Sequence, residues 1–513
     1  MINLRVTRAF ILAYGLSSAA LYCCLMPLWE GFDELFHYGY VQHVSTHWRF
    51  PVIGETMVSR ELWASLDFLP VSHYIQAQFA RPSLKFEDYF RLSDGERVGL
   101  RRGGESLDRS LANQNSTRAN YEAQQTPLTY FLLAPIHLLM SGASLFARVL
   151  ALRLALGLGS GLLLWWCAGR FCQRLGLSPA MEAACLFTLF SCQMLYAESC
   201  RVGNDGLTVP WLLLYLLAVV DAWDSPTLRR VVGLGLLTAA GLLIKASLLA
   251  FLPVAAVALA WRSLRMAAIW SGIVGTLAGP WYVRNLVLYQ SLSGNVESTS
   301  GVGAAEILKA AQSLPWWRSL AYTAHSGLWT GNNSFTTFSG FTINLVLLTL
   351  VIGLGLYCMR ARRTVLEICT LAAIGLYGIS LVFITLAFFS SSHGGIIGPM
   401  PWYLQILLLP LLGSAYLGMT RWLAAGTVAL WGYVAVASWV AKLFPLYGGL
   451  GAVQGRAGRL SAWWMDGGNE RGAVLSSLCP VPAPVLYGLL ATVLVTLALA
   501  LGGVMRALRS AKV

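Results

Sequence analysis

Charge is the scarcest commodity in this chain of 513 residues: only 12% of them are charged, while 57% are hydrophobic and the mean hydropathy is +0.62. Soluble domains carry about 25% charged residues, so a water-soluble fold of this length would lack the polar surface to cover itself. The ten cysteines include no C-x-x-C pair and no Cys/His spacing suited to zinc, which removes the common redox and zinc-site motifs. They read as small core residues. Cys200 and Cys479 are the two that the topology below puts on one, oxidising, side. The net charge of +13 is not gathered into a patch. It is dispersed in short clusters between apolar runs, which argues against a nucleic-acid face. No internal repeat of the transporter kind is present. No small-x-small cleavage site follows the first apolar run, so that run reads as a retained helix rather than a signal peptide.

What the chain does have is apolar runs. They cover 9–27, 147–168, 180–197, 206–223, 231–246, 248–261, 266–283, 341–358, 365–389, 401–419, 422–442 and 483–505. Most approach the roughly 20 residues needed to cross a bilayer. The expected fold is therefore an all-α polytopic membrane protein of about 12 transmembrane helices (11 to 13). The 231–261 stretch is ambiguous, being long for one helix and short for two, with Lys245 in its middle. With the N-terminus inside, the inner junctions hold Arg5 and Arg8, Arg170 and Arg174, Arg229 and Arg230, Arg262 and Arg265, Arg360, Arg362 and Arg363, Arg421, and Arg506, Arg509 and Lys512. Every one is basic, as the positive-inside rule requires. This alternation needs the short, proline-flanked segment 127–140 to stay on the outer side. The outer segments are then a large first loop, 28–146, and the stretches 284–340 and 443–482, with short turns at 198–205, 245–249 and 390–400. The pieces WASLDFL and KFEDYFRL in the first loop suggest short amphipathic surface helices. Residues 28–126 hold 13 of the 23 acidic residues beside ten basic ones, a mixed rather than a positive surface.

The unusual polar residues collect on the outer side. Ionisable groups near membrane depth are costly and mark function. Asp33 and Glu34 follow the first helix directly; such a pair can take a proton from an acceptor or hold a divalent cation, and it can equally be two ordinary interfacial carboxylates. Glu122 and Gln125 precede Pro127. Arg201, Asn204 and Asp205 close a short loop, where Asp205 could be a plain helix cap and Arg201 the partner of Glu198 or Asp205. Lys245 could snorkel, pair with a carboxylate or bind an anion. Arg284 and Asn285 end a helix at GPWYVRN, with a phosphate or carboxylate partner weighed against stacking on Trp281 or Tyr282. His393 lies in a glycine-rich loop and reads more readily as loop than as catalyst. The sequons at Asn115 and Asn332 are chance-level matches.

Four stretches in this order resemble the GT-C superfamily of membrane glycosyltransferases, which includes protein O-mannosyltransferases and aminoarabinose transferases, and within it a bacterial mannosyltransferase-like branch. They are PLWEGFDELFHYGYVQHVSTHWRFPV, with Asp33 and Glu34; YEAQQTPLTYFLLAP, with Tyr121, Glu122, Gln125, Pro127 and Tyr130; ESCRVGNDGL, with Asn204 and Asp205; and GPWYVRNLVLYQSLSG, with Trp281, Arg284 and Asn285. The resemblance covers most of the chain. It implies a GT-C-like fold and inverting transfer of a sugar from a polyprenyl-phosphate donor to a glycan, lipid or protein acceptor on the extracytoplasmic face. It also implies a bacterial inner membrane, with both termini cytoplasmic. Asp33 would be the base and Asp205 a second acidic group that orients substrate. Arg201, Lys245 and Arg284 would meet phosphate, and a divalent cation (Mg or Mn) could sit at Asp33 and Asp205. Tyr403 and His393 complete the expected substrate-binding set. The branch often carries an Arg-Tyr pair where this chain has Trp402-Tyr403, so donor-phosphate recognition is expected to differ there. The rival readings are a transporter or flippase of a lipid-linked glycan and a glycan polymerase or ligase using a diphosphate-linked donor.

Overall fold

The computed structural model describes residues 4–72, 83–294, 302–334, 336–450, 463 and 468–510. Lys512 and parts of the expected outer segments 28–146, 284–340 and 443–482 lie outside these residues. Every one of the twelve apolar runs forms helix. Among the described residues seven helices are long and apolar enough to cross a membrane, or eight if the bent pair Pro179–Ser191 and Gln193–Ser199 is one span. The expected dozen is thus reached only by adding shorter pieces: Leu228–Ile244, Ala246–Arg262, Leu264–Leu277, and the 3-10 turn Pro401–Leu407 continued by Leu408–Gly418. The chain is a multi-pass, all-α membrane protein. Its long helices keep apolar side chains on their outward faces, as a lipid solvent requires: Val351 on Gly340–Cys358 is 61% exposed and Ile379 on Val365–Ser391 is 70% exposed.

The ambiguous stretch resolves at Lys245. The helix Leu228–Ile244 ends there because Lys245 is extended (φ −154°, ψ 133°), and a 3-10 segment, Ala246–Phe251, turns the chain back into Leu252–Arg262. The segment 127–140 forms the helix Leu128–Leu139, too short to cross, with Pro135 inside it.

The large first loop is more ordered than its sequence suggests. WASLDFL contributes to a short helix, Arg60–Ser65, and KFEDYFRL to a single turn, Phe86–Tyr89. The substantial amphipathic helix is Asp94–Glu105, opened by a capping box between Ser93 and Glu96. A small antiparallel sheet pairs β1 (Met57–Ser59) with β2 (Asn115–Ala119), with a bulge between Met57 and Ser59. The ten cysteines are free and nine of them buried; Cys200 and Cys479 are not joined.

The helix ends sort into two polar groups. At one end Arg8 pairs with Glu182 at 3.0 Å, and Arg174 pairs with Asp224. The other end gathers the C-termini of the helices ending at Leu25, Ser199 and Ile244 and the 3-10 turn Pro401–Leu407. That end carries the site.

Candidate active site

Two buried arginine–glutamate pairs fix the frame. Arg153, inside the helix Leu145–Leu175, donates through Nε to Glu34 Oε1 at 2.7 Å and through Nη2 to Glu34 Oε2. Glu34 Oε1 also accepts the Val202 N–H at 3.0 Å. One turn and a half earlier, Arg148 grips Glu61, whose carboxylate accepts from Gln42 as well. These pairs staple the helix Glu34–His47 and the loop around residue 202 to a membrane span. Glu34 is therefore the correction to the expected acidic pair. Both its oxygens are spent on structure, whereas Asp33 is only partly buried. Removing one partner of such a buried pair costs about 3–5 kcal/mol, because the other charge stays uncompensated. Glu34→Gln is accordingly expected to lower the unfolding midpoint in detergent markedly. An unchanged midpoint would contradict the stapling role.

Asp33 stands at the start of the helix Glu34–His47 in a left-handed conformation (φ 55°, ψ 15°), and its side chain makes no capping bond. The carboxylate instead accepts from the Tyr121 hydroxyl. Gly31 lies two residues before it because the chain passes close to the next loop: a Cβ there would sit 2.8 Å from Arg201 Cβ.

Arg201 is the hub. It is 1% exposed. Its Nη1 donates to the Phe32 carbonyl at 2.7 Å, and its Nη2 to Glu198 Oε1 at 3.1 Å and to Asp205 Oδ2 at 2.7 Å. Both partners considered for it are thus used. Asp205 does not cap a helix; its other oxygen meets the Lys245 ammonium. Lys245, placed at the turn, also lies 5.4 Å from the centre of the Tyr403 ring. Asp33 and Glu122 act electrostatically on both Arg201 and Lys245, which puts all five groups in one neighbourhood. Asn204 donates to Gln125 Oε1 and to the Ile244 carbonyl, both at 3.0 Å, tying the 200–205 loop to the Lys245 turn. Glu122 is 3.8 Å from His37 Nδ1, which shares a 2.7 Å hydrogen bond with the Tyr130 hydroxyl. Burial, reinforced by the positive Arg201 and Lys245, holds the His37 imidazole well below the ordinary histidine range, so it is neutral at physiological pH.

Three atoms of this cluster are buried without a hydrogen-bond partner: Arg201 Nε, Glu198 Oε2 and Asn204 Oδ1. Orphaned buried polar atoms are rare and mark places where water or substrate completes the bonding. Beside Lys245 a small cleft opens, lined by Gln124, Gln125, Ser293, Tyr377 and Tyr403 among others. Leu381 belongs both to this cleft and to a larger apolar groove of about 500 Å³ between the helices Trp316–Leu328 and Val365–Ser391.

Other expected site residues lie elsewhere. Arg284 stacks on Trp281, with its guanidinium 4.7 Å from the ring centre, and donates to the Pro51 carbonyl at 2.6 Å. It is thus placed at the aromatic rim rather than against the Asp205 cluster. Asn285 is buried and braces the turn that carries Ser293 into the cleft, donating to the Leu292 carbonyl at 3.5 Å. His393 is exposed on the turn after Val365–Ser391 and does not line the cleft. Trp402, in the place where an arginine was expected, stacks on Phe32 with ring centres 4.4 Å apart. It presses on the residue whose carbonyl Arg201 holds. A divalent cation shared by Asp33 and Asp205 does not fit this arrangement. Asp205 is already neutralised by two cationic side chains, and among the described residues no three His, Cys, Asp or Glu side chains converge as metal ligands.

Tyr121, Tyr130 and Arg153 belong to the site or its frame with no role expected of them from the sequence, whereas Glu198 holds Arg201 as its spacing suggested. For Arg153 a signal existed: an arginine within an apolar run must find a partner.

The fold and site together define a multi-pass membrane protein with a buried, charged cleft at one end of its helices. No family model and no curated relative matches the chain. Among solved structures, it is similar to ArnT from Cupriavidus metallidurans bound to undecaprenyl phosphate, with 13% identity and a TM-score of 0.43, over 87% of this chain and 73% of that one. It is also similar to the same protein in the apo state, with 16% identity and a TM-score of 0.37, over 86% and 74%. Likenesses this distant identify no substrate.

Proposed function

We propose that the protein is a glycosyltransferase of the GT-C type that moves a sugar from a polyprenyl-phosphate donor to an acceptor hydroxyl or amine on the extracytoplasmic face. The observation that carries this is the cation pair Arg201 and Lys245 bracketing Asp205, with Lys245 lining a cleft that shares Leu381 with an apolar groove. A lipid phosphate asks for this combination: positive charge in a water-poor pocket for the head and an apolar exit for the tail. Asp33 completes it. Its carboxylate takes the acceptor proton as the acceptor oxygen or nitrogen bonds to the anomeric carbon. The bond from that carbon to the phosphate oxygen breaks, and polyprenyl phosphate leaves with its new charge beside Lys245. A single displacement of this kind inverts the anomeric centre. The acceptor, the sugar, the bacterial inner membrane and the cytoplasmic termini belong to the same reading. A transporter would place its essential charges at the bilayer midplane, whereas these groups lie at helix ends.

The test is donor binding and transfer by the purified protein in lipid, using a panel of radiolabelled polyprenyl-phosphate sugars with a host membrane extract. Lys245→Met should weaken donor binding about 10- to 100-fold, the worth of one charge-assisted contact. Donor binding of wild-type strength in Lys245→Met would remove the phosphate site from this cleft.

A further inference from the structure

The loop that delivers Asp33 holds two non-glycine residues in the left-handed region, Trp29 at φ 67° and Asp33 at φ 55°. Such conformations persist only where the surroundings over-determine them. Here the holding is done carbonyl by carbonyl. Arg153 takes those of Met26 and Pro27, and Arg201 takes that of Phe32. Three of the four between them, those of Trp29, Glu30 and Gly31, are taken by one residue some 300 positions away. Asn333 donates its backbone N–H to the Glu30 carbonyl at 3.1 Å, and its side-chain amide to the Gly31 carbonyl at 3.0 Å and the Trp29 carbonyl at 3.5 Å. The grip is returned. Glu30 Oε1 accepts the Ser334 N–H at 2.7 Å and the Ser334 hydroxyl. Asn332, itself left-handed at φ 51°, anchors the turn by donating to the Tyr447 hydroxyl at 2.7 Å and accepting from Tyr22. Glu30, Asn332 and Asn333 are each at most 3% exposed. The sequon Asn332-Asn333-Ser334 is therefore spent inside the protein and closed to glycosylation.

We propose that Asn333, Ser334 and Glu30 are positioning residues for transfer, a clamp that sets residues 29–31 so that the Asp33 carboxylate faces the acceptor. The inference rests on the reading of Asp33 as the base. It assigns a role in the reaction to a segment far in sequence from the cleft cations, and it separates two kinds of support. Arg153 holds the fold of the loop, while the clamp sets its aim.

Burial pushes the Glu30 carboxyl up to about 8, so it is neutral at neutral pH. Glutamine at this position keeps the oxygen that Ser334 needs, which makes Glu30→Gln the conservative variant. The experiment compares wild type, Asn333→Ala, Glu30→Ala, Glu30→Gln and Ser334→Ala in lipid, with the polyprenyl-phosphate sugar that wild type transfers and host membrane extract. It reads kcat, donor KM and the unfolding midpoint. Asn333→Ala and Glu30→Ala should lower kcat about 10- to 100-fold, the penalty of a reacting group misplaced by about an ångström. Donor KM should stay near wild type while the unfolding midpoint falls modestly, since buried partners are left unsatisfied, and Glu30→Gln should keep its rate. Wild-type kcat in Asn333→Ala overturns the clamp. So does a parallel fall of kcat, donor affinity and midpoint that Glu30→Gln shares, which marks structure alone. If Asn333→Ala does not fold, Ser334→Ala decides by the same criteria: a lowered kcat at unchanged donor KM supports the clamp, and an unchanged kcat overturns it. Absence of transfer by wild type from every donor is a different failure, since it removes the base reading and the clamp falls with it.

Discussion

Asp33→Asn is expected to abolish transfer while leaving the protein folded and able to bind its donor. General-base catalysis is worth about 10²- to 10⁴-fold, and an amide cannot accept the acceptor's proton. Asparagine is the informative choice because position 33 is left-handed, at φ 55°. Asparagine tolerates that conformation where alanine is strained, so a lost rate reports chemistry rather than backbone. Its side-chain oxygen can still accept from Tyr121, preserving the side-chain hydrogen bond that orients the group. The check is a transfer assay beside donor binding and an unfolding curve on the same preparation. A wild-type rate would remove Asp33 as base. Loss of donor binding in step with rate would move Asp33 into the donor site instead.

The same residue shows how far the sequence carries. Composition and hydropathy made the class of fold legible, because lipid imposes a length and a polarity on each span that few other environments do. Lys245, Arg201 and Asp205 were visible for a related reason: a charge beside an apolar run stands out against its neighbours. What they do to one another was not visible. That Asp205 neutralises both cations depends on helices separated by 40 residues closing at one end. The division of labour between Asp33 and Glu34 was hidden in the same way, since only the fold brings Arg153, more than a hundred residues later, onto Glu34 and leaves Asp33 clear. Arg284 misled because an arginine at the outer rim satisfies the same sequence pattern whether it binds a phosphate or lies on Trp281. The helix Asp94–Glu105 lacks an apolar stripe long enough to register, although its S-x-x-E opening was readable. Asn333 carried no signal at all. A neutral side chain in a loop becomes informative only when the three carbonyls it holds are on the page.

Asp205→Asn is expected to be the most destabilising single change in the site. The carboxylate compensates two buried cations, Arg201 through Oδ2 and Lys245 through Oδ1. Glu198 gives Arg201 a second partner at 3.1 Å, while Lys245 has the Tyr403 ring beside it and the charges of Asp33 and Glu122 only at longer range. Breaking a buried pair costs about 3–5 kcal/mol, because the charge left behind lacks its counter-ion; here Lys245 is stranded and Arg201 keeps only Glu198. Donor phosphate should then become the counter-ion, so that saturating donor raises the unfolding midpoint of Asp205→Asn more than that of wild type. The origin of the cost can be separated from the loss of contacts by removing the stranded charge. If uncompensated charge dominates, the double variant Asp205→Asn with Lys245→Met should unfold at a higher temperature than Asp205→Asn alone, even though it has lost more of the native side chains. Contact loss predicts the opposite order, with the two single effects adding. Midpoints of the four members of this cycle, measured in one detergent with and without donor, decide between them. A double variant no more stable than Asp205→Asn would show that Asp205 holds the loop by hydrogen bonding rather than by balancing the two cations.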